Sequence, residues 1–437
     1  MMVKVFLPHF PYNQCFFLNY FLLTHKHLFY IILLVMSMKK IIFHIDVNNA
    51  FLSWTAVDLL NKGSKYDIRG SYAVIGGDES QRRGIVLAKS NPCKKLGIKT
   101  ADTLYSARRK CPALRVYKGD YELFKQMSKS MFDLIRTYTP DIEILSIDEC
   151  FLDYTSIEKL YGDPIDFAYK LKDEIYHTLG FTVNIGIGEN KLTAKMASDF
   201  EKPNKVHTLF HEEVKTKMFP LPVGDLFGIG KKTAEKLNKL NIHTIGDLAH
   251  QSREKLYPYF KNMSIKMIEN ANGIGSSEII LEREIKGIGN STTLPYDAKN
   301  INDLKKILFS LCENVTLELQ RQKKYAYVVC VSIKDASFQT ISHQKKLTNA
   351  VNNVNAIYQV ALSLLLELWK EEPVRLLGVR FDKLTEHPIY QVSLFEKETK
   401  REENKELDEA ILKLKDKYGK KVISSANSKE IYHKTKN

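Results

Sequence analysis

Along residues 39–205 the apolar positions switch between strand-like runs and helical spacing. Ile41–Val47 is a short continuous apolar run broken only by His44 and Asp46, and reads as a buried strand. Ala50–Asn61 follows as a helix, then Ser71–Ile75 and Gly84–Lys89 as two further strands. In Tyr121–Thr137 the residues Leu123, Met127, Met131, Leu134 and Ile135 recur at helical spacing. Ile142–Ile147 and Cys150–Tyr154 predict two strands around a tight junction. Pro164–Leu179 predicts a helix, Thr182–Ile187 a strand, and Lys191–Asp199 another helix. Together these predict an α+β core, with helices laid against a mixed sheet.

The pattern changes downstream. Residues 206–278 become short helices punctuated by glycine. From about Glu284 to Leu384 the order is strand, helix, strand (Tyr325–Ile333), helix (Val354–Lys370) and strand (Arg375–Phe381). The tail from Glu396 is dense in Lys and Glu, as expected of a solvated arm. There is no internal repeat. At the other end, residues 16–36 (FFLNYFLLTHKHLFYIILLVM) are apolar enough to suggest a membrane span, but His25, Lys26 and His27 interrupt the middle. Charged groups at a bilayer centre cost roughly 2.5–3.5 kcal/mol each. No small-residue cleavage site follows, so a secretory leader is not favoured either. The expectation is that residues 1–38 are not part of the fold and that Met36 or Met38 begins the functional chain.

Composition adds one strong constraint. The 437 residues predict about three domains. The 65 Lys+Arg exceed the 51 Asp+Glu by 14, which points to a polyanionic partner, nucleic acid before membrane. The six cysteines are scattered without a CxxC pair, arguing against a disulfide framework or zinc ribbon and for a reducing, cytoplasmic setting.

Three acids then stand out. Asp46 ends the first strand, and Asp148 and Glu149 lie where two strands meet, in SIDECFLDY. A carboxylate at a strand end is usually a turn residue facing water. All three, however, follow runs that belong in one buried sheet. Adjacent strand residues point to opposite faces, so Asp148 and Glu149 converge only if the backbone turns between them. Three such charges within about 4–6 Å repel and raise one another's pKa. Divalent cations relieve that repulsion, and oxygen-only ligands suit Mg²⁺ or Mn²⁺.

Five segments carry a resemblance. HIDVNNAF, IGGDESQRRGIVLAKSNPCKKLGI, LSIDECFLDY, NIGIGENKLTAKMASDFEKPN and LFGIGKKTAEKL occur in the order found in Y-family translesion DNA polymerases, most like the bacterial DNA polymerase IV group. The resemblance spans about residues 39–395. It implies a right-hand polymerase: palm (39–49 and 114–205), fingers (50–113), a helical thumb with a helix-hairpin-helix (206–278) and a little-finger domain (285–388). Residues 389–437 would hold a clamp-binding peptide and the charged tail. It further implies that Asp46 and Asp148 hold two Mg²⁺ ions, with Glu149 and the carbonyl of Val47 as further ligands. Phe51 would be the gate that excludes a 2′-hydroxyl, and Lys195 would contact the incoming dNTP. The fingers' usual Tyr and Arg are replaced here by Asn91 and Lys94. Lysine keeps the charge but not the bidentate fork of arginine, and asparagine donates without the reach of a phenol. Ile85 and Leu87 fall on the strand expected to roof the nascent base pair. An open site, low fidelity and no proofreading nuclease are implied as well.

Gly228-Ile229-Gly230, followed by Lys231 and Lys232, predicts a hairpin whose backbone approaches a phosphate closely. A degenerate second copy is suggested at Asn272-Gly273. Gln391, Leu394 and Phe395 in QVSLF resemble a sliding-clamp-binding peptide, a single apolar anchor that tethers the enzyme. The expected partners are primer-template DNA, dNTPs and the clamp, with no membrane and a monomeric chain. Two rivals remain at this point. A non-catalytic accessory protein is kept open by Asn91 and Lys94, and a metal-dependent nuclease by the clustered acids.

Overall fold

The computed structural model describes residues 39–79, 84–388 and a few positions between 410 and 422. Residues 1–38 and the peptide holding Gln391, Leu394 and Phe395 lie outside them. In chain order the strands are β1 (Ile42–Val47), β2 (Ala73–Gly76), β3 (Val86–Lys89) and β4 (Arg115–Lys118). Next come β5 (Ile142–Ile144), β6 (Glu149–Asp153), β7 (Val183–Gly188) and β8 (Val206–Leu209). The last four are β9 (Gly287–Ala298), β10 (Tyr325–Asp335), β11 (Thr340–Val351) and β12 (Val374–Thr385). The chain divides into two compact units. Of the described residues, the first unit joins 39–67 to 120–282, and the second joins 68–119 to those from 283 onward. The helix Ala50–Asn61 therefore belongs with β1 in the first unit.

The first unit is built on a five-stranded sheet in the order β5-β6-β1-β7-β8, antiparallel except for the parallel pair β7/β8. β1, β5, β6 and β7 sit where their apolar runs predicted, whereas β8 falls at the start of the stretch read as short helices; the mixed sheet of an α+β core is what forms. Phe43, Ile45, Cys150, Leu152, Ile185 and Ile187 are buried. Alternation puts Phe43 on one face, where its ring meets Phe167 of the helix Pro164–Leu179. The opposite face carries His44, Asp46, Gly186 and Gly188, and the helix Lys191–Ser198 lies on it. The two glycines are what permit that: a Cβ on Gly186 would come within 2.0 Å of the Ala194 carbonyl oxygen. A capping box between Asn190 and Thr193 starts the helix, and Glu143, 1% exposed, holds Lys191 at 2.9 Å beside it.

Residues 206–282 continue this unit as a helical subdomain with its own core of Leu226, Leu237, Ile245, Leu248 and Leu256. In the second unit, residues 68–119 form the sheet β3-β2-β4. There Val86 is buried while Ile85 is exposed and Leu87 half-buried. The four-stranded sheet β11-β10-β12-β9 is antiparallel throughout, backed by the helices Ile301–Arg321 and Val354–Leu368 over an apolar core. The sequence pattern had missed β11. Its residues Thr340–Lys346 are exposed on the sheet's edge, so no apolar alternation marks it.

Candidate active site

The five-stranded sheet brings the three acids together through its register. Asp46, the penultimate residue of β1, pairs directly with Glu149, the first residue of β6. Residues 146–148 form a bend before β6, the turn needed for Asp148 and Glu149 to share a site. The Val47 N–H donates to the Asp148 carbonyl at 3.0 Å, which fixes the bend against β1. Asn49, in the left-handed region at φ 50°, then turns the chain into the helix Ala50–Asn61. Asparagine tolerates that conformation better than most side chains.

The three acids share one end of the sheet, and Asp148 lies near enough to Asp46 to act on its charge. Each acid is turned to its own partner, and among the described residues no three His, Cys, Asp or Glu side chains are gathered as a metal cage. Asp46 pairs with Lys202, which also reaches Asp199 at 2.8 Å. Asp148 accepts from the Ser146 hydroxyl at 2.6 Å. Glu149 accepts from Lys195 through Oε2, and the same oxygen lies 3.1 Å from His44 Nε2. Two ammonium groups thus neutralise acids that a cation would otherwise balance. The Asp46 carboxyl is raised by burial and by the nearby charge of Asp148, with Lys202 opposing both. Burial pushes Glu149 upward too, but the hydrogen bonds from His44 and Lys195 outweigh it and bring it down to about 2. His44 is lowered by burial first, and Lys195 adds to that, so its ring is neutral.

Lys195 thus contacts Glu149 in this structure. Two residues at the site went unnoticed in the sequence. His44 is 1% exposed and sits two residues before Asp46, on the same strand face. That i, i+2 spacing was the available signal. Lys202 follows the helix in a polar loop with no periodicity to mark it. The loop is held by buried amides: Asn184 donates to the Ser198 and Glu201 carbonyls at 3.0 and 2.6 Å, and Asn48 accepts from the Asn204 N–H at 2.8 Å.

Phe51 is half-buried, stacked on Phe124 at 4.5 Å and flanked by Trp54 and Tyr121. Asn91 and Lys94 are exposed on the short helix Asn91–Lys95, capped by Ser90. In the helical subdomain Gly228 has φ 94°, a conformation that favours glycine, and Lys231 and Lys232 are exposed just beyond Gly230. Gly273 is different. It is buried, and a Cβ there would press on Val214 at 2.8 Å. The suggested second hairpin copy at Asn272-Gly273 thus offers no open glycine to a phosphate.

The donor chemistry fits a hard divalent cation, since Asp46, Asp148 and Glu149 supply oxygen only. Carboxylates thus stand at the carboxyl end of one strand and in the bend before its antiparallel partner, with lysines beside them, the donor set that a phosphoryl-transfer site would need.

Residues 45–199 match the impB/mucB/samB family, 211–242 its helix-hairpin-helix motif and 285–394 its C-terminal domain. The chain belongs to this family of Y-family DNA polymerases. It is 46% identical to DNA polymerase IV of Clostridium acetobutylicum over 388 residues, covering 88% of this chain and 97% of that protein. It is 34% identical to DNA polymerase IV 1 of Bacillus subtilis, covering 91% and 95%. Its fold is similar to a Y-family polymerase chimera, Dbh-Dpo4(243-245)-Dbh, with a TM-score of 0.71 at 23% identity over 79% of this chain and all of that one. A Dbh ternary complex gives a TM-score of 0.56 at 24% identity, covering 78% and 98%.

Proposed function

We propose that this translesion DNA polymerase adds dNMPs to a primer 3′ end at the corner formed by β1 and β6. The observation that carries the assignment is the register that sets Asp46 opposite Glu149 with Asp148 in the adjoining bend. Asp46 and Asp148 hold two Mg²⁺ ions, or Mn²⁺, with Glu149 and the Val47 carbonyl as further ligands. Bound there, the ions supply Lewis-acid stabilisation of the attacking 3′-oxygen and the departing pyrophosphate. The chain's own groups do the rest. Phe51, buttressed by Phe124, presents an aromatic wall to the sugar. Asn91 and Lys94 donate to phosphate oxygens. Lys195, beside Glu149, contacts the incoming triphosphate, and Lys202, a third exposed on the loop beyond it, lies beside Asp46.

Primer-template DNA is gripped without reading bases by Gly228, Gly230, Lys231 and Lys232 and by the basic surface. Gln391, Leu394 and Phe395 tether the enzyme to a sliding clamp, and the chain works as a monomer. Replacing Leu394 and Phe395 by Ala leaves distributive synthesis intact and abolishes clamp stimulation; stimulation that persists removes the peptide from this role. One assay separates polymerase, accessory protein and nuclease: a labelled primer-template with Mg²⁺ and four dNTPs. Extension supports the proposal, whereas an unchanged primer or a shortened one replaces it with a rival.

A further inference from the structure

The turn from β1 into the helix Ala50–Asn61 runs through Asn48, whose side chain is buried at 6% exposure. Its Oδ1 accepts from the Thr182 hydroxyl at 2.9 Å and from the Asn204 N–H at 2.8 Å. Its Nδ2 donates to Asn184 Oδ1 at 3.0 Å. Asn184, wholly buried, donates in turn to the Ser198 and Glu201 carbonyls and accepts from the Lys205 N–H at 3.3 Å. A main-chain N–H only donates and a carbonyl only accepts, so both carboxamides are locked in one orientation. Asn48 thereby joins the end of β1 to the start of β7 and to the loop 199–205.

The same residue holds the helix that follows. Its N–H donates to the Thr182 carbonyl at 2.9 Å, and its own carbonyl accepts from the Ser53 hydroxyl at 2.6 Å. Phe51 lies between these two fixings, in the first helical turn. Its ring is placed by aromatic contacts alone, the stack on Phe124 with Trp54 and Tyr121 beside it. Stacking sets the plane of that ring. How far the ring projects is set by where the helix begins, and paired polar groups in a buried place fix such a point firmly.

We infer that Asn48 is a positioning residue for sugar selection: braced against β7 and the loop 199–205, it sets the first helical turn and so the distance at which Phe51 meets the 2′ position of the nucleotide. This rests on the polymerase reading and on Phe51 as the gate.

The test uses the full-length protein with primer-template DNA and Mg²⁺, comparing kcat/KM for CTP and dCTP opposite a template dG. Asn48→Ala raises the CTP-to-dCTP ratio by about two- to tenfold, the scale of one buried hydrogen bond. General loosening of the palm lowers both efficiencies alike and leaves the ratio unmoved. In the Phe51→Ala background, Asn48→Ala changes the ratio by less than about twofold, because residues acting through one another are not additive. An unchanged or lowered ratio in Asn48→Ala overturns the inference. So does a full effect that persists without the Phe51 ring. Should Asn48→Ala not fold, Thr182→Val takes its place: it removes one donor to Asn48 Oδ1 at nearly equal size, and an unchanged ratio there is equally fatal. Phe51→Ala separates the underlying reading. If it selects sugars like the wild type, the gate itself falls; if it loses selection while Asn48→Ala does not, only the role of Asn48 falls.

Discussion

The five-stranded and four-stranded sheets are both backed by helices, yet they place polar residues in opposite positions. The first buries His44, Glu143 and Asn184 within its strands, at 1%, 1% and 0% exposure. Every one of them is bonded: His44 to Ser198, Glu143 to Lys191 and the Ile280 N–H, Asn184 to Ser198 and Glu201. The second sheet has no buried polar side chain on its strands among the described residues, and its edge strand β11 carries Ser342, His343, Gln344, Lys345 and Lys346 in the open. Buried polar groups are costly unless satisfied, and once satisfied they hold a rigid geometry. The first sheet is thus arranged for chemistry. The second is an apolar layer presenting a polar, basic edge, suited to a charged partner whose sequence is not read.

Breaking the first sheet's site carries the largest expected effect. Asp148→Asn, which keeps shape and removes charge, lowers single-turnover extension by about a thousandfold or more, the scale for losing a group that carries transition-state charge. A smaller loss would show that the acid is dispensable. Next, Phe51→Ala raises incorporation of ribonucleotides relative to deoxyribonucleotides by roughly ten- to a hundredfold, as steric discrimination allows. Unchanged sugar selectivity in primer extension removes Phe51 from the gate. The stack on Phe124 disappears as well, at a cost of about 0.5–1.5 kcal/mol, so a lower melting temperature accompanies the effect.

On the second sheet, replacing Lys345 and Lys346 by Gln weakens primer-template binding without changing sequence preference. The slope of log affinity against log salt becomes shallower by about 0.9 for each DNA phosphate that the protein no longer neutralises. If the slope is unaltered, β11 is not on the DNA path. The smallest effect is acid sensitivity. Glu149 lies below its ordinary range in the folded protein, so its contribution to stability is present above about pH 4.5 and is lost as pH falls toward about 2. The stability difference between wild type and Glu149→Gln, from urea unfolding without metal, should shrink across that window. A constant difference contradicts the ion pair with Lys195. Asp46 has the opposite sign: its raised pKa makes ionisation unfavourable to the fold, so its contribution worsens as pH rises through the folded value.

The same contrast explains what was legible in the sequence. Where a strand is buried on both faces, as in Ile42–Val47, the apolar run announces it, and the helix Ala50–Asn61 was legible to the residue. The acids stood out because they interrupt such runs. β11 was invisible because an exposed edge strand needs no apolar pattern. His44 was legible only as a polar break within a strand, since its role depends on Ser198, 154 residues away. Lys195 was found by motif, but its contact with Glu149 was not, because the two lie 46 residues apart and only the fold brings them together.

Whether Asp46 and Asp148 jointly seat the cations decides more than any other single point. Anomalous diffraction from crystals of the enzyme with primer-template DNA, a non-hydrolysable dNTP analogue and Mn²⁺ reads this without mutation. Two manganese peaks, each bonded to both Asp46 and Asp148, are predicted. Peaks elsewhere, or none touching either residue, would contradict it.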